Sequence, residues 1–147
     1  MLNIRAARNG DLDNLTELLR TLFSIEVDFT FNKTLQRRGL QLMLENFRGC
    51  VLVAEINDRV IGMCSGQLTI STAEGGAALL VEDVVVDASL RGQGVGRRLM
   101  EGLGAWARQQ GASRLQLLAD RNNAPALEFY KRLGWQTTEL ICLRKNV

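Results

Sequence analysis

The stretch Leu79–Val86 is almost unbroken apolar residues, and within a few positions it reaches Arg91-Gly92-Gln93-Gly94-Val95-Gly96. Such a run, interrupted only by Glu82-Asp83, reads as a central strand covered on both faces. The glycines after it open a helix over about Gly92–Gln110, with Leu99, Leu103, Trp106 and Ala107 as its core stripe. Arg114–Ala119 reads as the next strand. Strand, helix and strand in that order imply a parallel, right-handed crossover. The sheet is therefore expected to be mixed.

The rest of the chain fills in around that unit. Ile4–Ala7 predicts a first strand, and Leu12, Leu15, Leu18, Leu19 and Leu22 predict a helix over Asp11–Phe23. Asn9 or Asp11 is suited to cap it, because either side chain accepts from orphan helix N–H groups. Ser24–Phe31 is irregular. Leu35, Leu40, Met43, Leu44 and Phe47 predict a second helix over Lys33–Phe47, stopped by Arg48-Gly49. Val51–Ile56 and Arg59–Cys64 flank the turn pair Asn57-Asp58, and Gln67–Ser71 continues a meander of three or four strands. Pro125–Leu133 predicts a last helix and Trp135–Leu143 a closing strand. With 147 residues and no repeat or linker, residues 1–147 are expected to form one α/β domain.

Composition excludes several functions. A formal net charge of +2 offers no basis for a nucleic-acid surface. The chain has no histidine and three widely spaced cysteines, Cys50, Cys64 and Cys142, so no zinc or other metal site and no Cys/His nucleophile is expected. Reduced thiols fit a cytoplasmic setting. Met1–Arg5 lacks a signal-peptide core, and no apolar run approaches the roughly 18 residues of a bilayer span, so no membrane partner is expected.

The glycine loop carries the chemistry. A helix start exposes unpaired N–H groups and the positive end of the macrodipole, which together favour phosphate. Gly92, Gly94 and Gly96 let a pyrophosphate approach the backbone, with Arg91, Arg97 and Arg98 as cationic donors nearby. A dinucleotide fingerprint would need glycine where Arg97 stands, and a P-loop would need Gly-Lys-Ser/Thr. Neither fits.

Val84-Val85-Val86 followed by Arg91-x-x-Gly94-x-Gly96 resembles the acyl-CoA motif of the GNAT superfamily of N-acetyltransferases, (Gln/Arg)-x-x-Gly-x-(Gly/Ala) after a strand. About 30 residues on, Asn123, Ala126, Tyr130, Gly134 and Trp135 match that family's second motif, Asn-x-x-Ala-x-x-x-Tyr-x-x-x-Gly-(Phe/Trp). The resemblance covers essentially the whole chain and is weakest over Ser24–Phe47. It implies a GNAT-type fold: a largely antiparallel mixed sheet, a parallel β-α-β unit for acyl-CoA, and flanking helices. It implies acetyl-CoA as cosubstrate. Val84, Val85 and Val86 would pair with the pantetheine arm through the main chain. Arg91, Gly92, Gln93, Gly94, Val95, Gly96, Arg97 and Arg98 would surround the pyrophosphate, and Asn123 and Ala126 would meet the pantetheine.

The same resemblance implies Tyr130 as the acid for the departing thiolate and a strand carboxylate as base. Simple alternation places Glu82 on the face of Val84 and Val86, with Asp83 opposite, so Glu82 is the first candidate. Asp83 or a water chain is the substitute. Glu26, Asp28 and Phe29, with Phe23 and Phe31, are candidates for an anionic, aromatic wall around an ammonium group. The expected activity is direct acetyl transfer from acetyl-CoA to a primary amine of a small molecule or peptide. A non-catalytic acyl-CoA sensor is the alternative. A homodimer is the oligomer implied by resemblance.

Overall fold

The computed structural model describes residues 1–26 and 28–147; Val27, inside the expected irregular stretch, lies outside the described residues. The chain divides into two compact units, Met1–Leu117 and Leu118–Val147. The first holds β1 (Leu2–Ala6), a 3₁₀ turn at Asn9–Asp11, α1 (Leu12–Ile25), α2 (Lys33–Glu45), β2 (Gly49–Ile56), β3 (Arg59–Ser71), β4 (Gly76–Val86), α3 (Val95–Gln109) and β5 (Leu115–Leu117). The second holds α4 (Ala124–Arg132). Strands run in the order β1-β2-β3-β4-β5, antiparallel up to β4 and parallel between β4 and β5. The mixed sheet and its parallel crossover are as the sequence predicts.

Each face of the sheet is covered for a reason visible in the side chains. The leucine stripe of α1 is buried in full and packs with Leu40, Val51, Val53, Met63 and Val85. On the other face, Leu99 of α3 lies over Gly62, and the Cys64 thiol meets the Leu99 carbonyl at 3.6 Å. Leu15 and Leu99 are completely buried, so truncating either to alanine costs roughly 2–5 kcal/mol. A Cβ on Gly102 would stand 3.1 Å from Leu52, so close packing of α3 on β2 explains that glycine. Gly104 has no such neighbour.

Several sequence expectations are corrected. Asp11 does not cap α1 with its side chain. Its carboxylate instead accepts two bonds from the Arg5 guanidinium, at 2.8 and 3.0 Å, and one from the Arg8 N–H at 2.8 Å. Arg5 also reaches Glu55 at 2.6 Å, tying β1, the 3₁₀ turn and β2 together. Helix α1 runs on through Ile25, and α2 stops at Glu45 because Asn46 is extended, which leaves Phe47 outside the core. One 13-residue strand, β3, replaces the two expected pieces, so the meander has three strands. Trp135–Leu143 forms no strand: among the described residues it has no ladder partner, and Leu140, Ile141 and Leu143 are exposed. Apolar content alone does not make a strand, because the backbone groups also need a pairing edge.

Candidate active site

The site begins where β4 stops being regular. Ser65 pairs with Glu82 and Met63 with Val85, so two steps on β3 face three on β4. The extra residue makes a β-bulge, and Asp83 sits there with φ 54°, in the left-handed region. The bulge resets the alternation. Glu82 shares the Ser65/Met63 face with Val85, while Val86 lies over Gly62 beside Leu99 on the opposite face. Glu82 therefore does not share a face with Val86, which corrects the reading from strict alternation.

The bulge also marks where the sheet opens. β5 pairs with β4 only over Leu79–Val81, so the outer edge of Glu82–Val86 is not continued by β5. Backbone N–H and C=O groups on such an edge are available to an extended ligand. Arg91 then ties the following loop to the strand by donating from Nε to the Val86 carbonyl at 3.1 Å.

The loop turns into α3 through two left-handed glycines, Gly92 (φ 77°) and Gly94 (φ 82°). Gly94 is the N-cap and offers no side-chain acceptor. The first intrahelical bond runs from Arg98 N–H to the Gly94 carbonyl, so the preceding amides of Val95, Gly96 and Arg97 point out of the helix start. Added Cβ atoms on Gly92 or Gly94 would meet no protein atom within 4 Å. These glycines answer to backbone conformation, and the surface above them is open. The two arginines that follow are engaged: Arg97 lies 3.9 Å from Glu101, and Arg98 donates to the Leu2 carbonyl at 3.0 Å. The anion-binding capacity at this point is chiefly main-chain.

Two carboxylates stand at the bulge in different surroundings. Glu82 is exposed, whereas Asp83 is half-buried. Ser65 Oγ lies 3.1 Å from the Glu82 carbonyl and 3.5 Å from Asp83 Oδ2. Burial, then the negative charges of Glu82 and Glu26, push the Asp83 carboxyl up to about 6, against the opposing hydrogen bond from Ser65. Glu26, at the C-cap of α1, thus acts electrostatically on the bulge. Asp28 and Phe29 are exposed; Phe29 stacks on Phe23 with ring centroids 5.8 Å apart, and the Arg20 guanidinium sits 4.3 Å over Phe31. Among the thiols, burial pushes Cys50 up to about 11 and Cys64 higher still, which makes both poor nucleophiles.

The second unit arranges the second motif locally. Asn123 Oδ1 accepts from the Ala126 N–H at 3.3 Å and so caps α4. Its Nδ2 group is the part that can serve a ligand. Ala126 and Tyr130 lie one turn apart on the same helix face. The Tyr130 ring contacts Phe129 edge-on at 5.2 Å and Trp135 at 5.7 Å, while the Trp135 N–H returns to the Tyr130 carbonyl at 3.0 Å. Ser65, which bonds across the bulge to the Glu82-Asp83 pair, is a residue that sequence reasoning missed. No local signal pointed to it, because its place beside Asp83 follows from how β3 and β4 are matched.

A mixed sheet whose fourth strand, β4, keeps an open edge over Glu82–Val86 and leads toward an uncapped helix start offers main-chain groups to an extended, anionic ligand. The chain belongs to the acetyltransferase (GNAT) family, whose profile matches residues 12–135. It is 30% identical over 144 residues to thialysine N-epsilon-acetyltransferase of Bos taurus, covering 90% of this chain and 83% of that protein. It is 53% identical over 62 residues to N-alpha-acetyltransferase 80 of Mus musculus, covering 42% of this chain. The chain spans only 18% of the length of that mouse protein. The same fold occurs in a predicted acetyltransferase from Clostridium acetobutylicum solved with acetyl-CoA, with TM-score 0.81, 20% identity and coverage of 98% of this chain and 96% of that one. Acetyl-CoA is the cosubstrate that family membership implies. No helix among the described residues is long and apolar enough to cross a membrane.

Proposed function

We propose that residues 1–147 act as one GNAT domain that moves an acetyl group from acetyl-CoA directly to a primary amine of a small molecule or peptide. The observation that carries the reading is the open edge of Glu82–Val86 running into the uncapped start of α3. Main-chain groups of Val84–Val86 hold the pantetheine arm, and the amides from Gln93 to Arg98 hold the pyrophosphate. In the second unit, Asn123 and Ala126 carry the pantetheine role that the second motif implies.

Chemistry then needs a neutral amine, a polarised thioester and a proton for the thiolate. A carboxylate of the Glu82-Asp83 pair takes the proton, and the Tyr130 hydroxyl supplies one to sulfur. A strand amide near Val84 polarises the thioester carbonyl. Glu26, Asp28 and Phe29 border the acceptor, whose ammonium they attract. The raised thiols of Cys50 and Cys64 support direct transfer over an acyl-cysteine route.

The test is release of free CoA thiol from acetyl-CoA with a panel of polyamines, aminoglycosides, amino acids and peptide N-termini. Turnover with at least one class is expected. Tight acetyl-CoA binding without turnover of any amine would mark a sensor instead. With a validated acceptor, Tyr130→Phe should slow transfer by about 10–100-fold, and an unaltered rate removes Tyr130 as the acid.

A further inference from the structure

We propose that the outward face of α2 is an interface on which a second copy of this chain docks, the two α2 helices lying antiparallel. Leu35, Arg38, Leu42 and Glu45 follow one another at helical spacing, which sets them in one row along the helix. All four are exposed, Leu35 by 47% and Leu42 by 61%. The core takes the opposite side of α2 through Leu40, which is buried. Phe47 follows the helix end and is 90% exposed. Along the chain the row thus reads apolar, basic, apolar, acidic, apolar.

That order is its own complement when reversed. Turned end for end about Leu42, the row sets Leu42 on Leu42, Arg38 on Glu45, and Leu35 beside Phe47. A two-fold axis produces such a match, because each residue that meets another is met by it in turn. A parallel arrangement would oppose Arg38 to Arg38 and Glu45 to Glu45, which repel. A uniformly acidic or basic partner would match one of the two charges and oppose the other. The chemistry of the row therefore selects a second copy.

These charges also lack what exposed charges on the other helices have. On α1, α3 and α4, Glu17–Arg20, Arg97–Glu101 and Glu128–Arg132 stand one turn apart and pair along their own helix. Arg38 and Glu45 stand two turns apart, and among the described residues neither has an ion pair. Glu45 accepts a hydrogen bond from Gln41 Nε2 at 2.8 Å. It also occupies the last turn of α2, the negative end of the helix, where no basic residue offsets it. A facing Arg38 corrects both. Gly39, beside the row, is exposed, and a Cβ on it would meet nothing within 4 Å. Glycine is disfavoured in a helix interior, and packing within the protomer does not account for it. A second backbone drawn close does.

The 13 residues of α2 span about 20 Å. One face of that length is smaller than the roughly 800 Å² per partner of a standard interface, so the dimer is weak, with Kd on the order of 100 μM. Sedimentation equilibrium of the full chain from about 5 μM to about 1 mM reads the association. Circular dichroism melts check that each variant folds. Wild type should pass from monomer to dimer. Leu42→Asp, which opposes two carboxylates on the axis, should weaken association at least about tenfold, as should Arg38→Glu or Glu45→Arg alone. An equimolar mixture of the Arg38→Glu and Glu45→Arg chains should associate as tightly as wild type, since each supplies the charge the other lacks. Damage to the helix would not give that recovery. A wild type still monomeric at the highest concentration overturns the proposal. A dimer that survives Leu42→Asp does so too, because it places the interface elsewhere. A mixture no tighter than its single components also overturns it.

Discussion

Ser65 Oγ stands 3.5 Å from the Asp83 carboxylate across the β3–β4 bulge, while lying 3.1 Å from the Glu82 carbonyl. One hydroxyl proton is thus shared between holding the bulge and stabilising a charge. Its effect on Asp83 is to favour the ionised form, against the burial and the two carboxylates that oppose it. Ser65→Ala should therefore raise the Asp83 carboxyl further. The acid limb of kcat/KM moves to higher pH by roughly half a unit, the size expected for a long, neutral-donor hydrogen bond. A limb that stays put or moves down would show that the hydroxyl serves only the backbone.

Burying Asp83 has a cost in stability with a definite sign. Its folded carboxyl binds a proton up to about pH 6, whereas the unfolded one releases it near 3.8. The native state therefore holds more protons between those values, and stability declines as pH rises through that window. Asp83→Asn should stabilise the protein by roughly 2 kcal/mol at pH 8, at about 1.4 kcal/mol per unit with allowance for partial exposure. The gain should disappear near pH 4. Urea unfolding at the two pH values measures both, and an equal gain at each would point to backbone preference rather than charge.

Gly94 tests the helix start. An alanine there meets no neighbour, so any effect must come through φ 82°. Holding a Cβ in that region costs about 1–2 kcal/mol, and relaxation would turn the first amides of α3. Gly94→Ala should lower acetyl-CoA affinity by roughly tenfold with a stability loss of about 1 kcal/mol. Calorimetric affinity equal to wild type would place the phosphate elsewhere.

The Arg5 network supports the fold away from the chemistry. Hydrogen bonding to Arg5 holds both Asp11 and Glu55 below the usual carboxylate range. Because these pKa values are depressed, the stability they supply is present at neutral pH and is lost as pH falls through the folded values. Arg5→Ala leaves the buried Asp11 carboxylate without its main partner and should cost about 2–4 kcal/mol at pH 7. Thermal melts should show that penalty shrinking toward pH 3. A pH-independent penalty would assign it to lost packing of the arginine stem.

What could be read in advance follows from what repeats. The leucines of α1 recur at helical spacing, so their helix and its buried face were legible from Leu12 to Leu22. The loop was legible because Arg91, Gly94 and Gly96 fall at fixed offsets. Position 83 was not legible, because alternation is a rule about regular pairing and one extra residue in β4 cancels it. That insertion depends on how β3 and β4 are matched, which local sequence does not encode. Asp11 shows the same limit: its residue type suits a cap, yet Arg5 on β1 and the Arg8 amide draw its carboxylate away. Leu140 to Leu143 have strand composition and no strand, since an edge to pair with is a property of the whole fold.

The left-handed backbone at Asp83 also bounds what mutation can try there. Glycine, asparagine, aspartate and histidine are the residues that tolerate such a conformation with least strain, and of these only aspartate and histidine can take up a proton near neutral pH. This chain uses no histidine anywhere. A drift to glutamate, conservative by charge, would move a longer side chain onto a backbone it does not favour. At this position the main chain filters the chemistry before selection sees it.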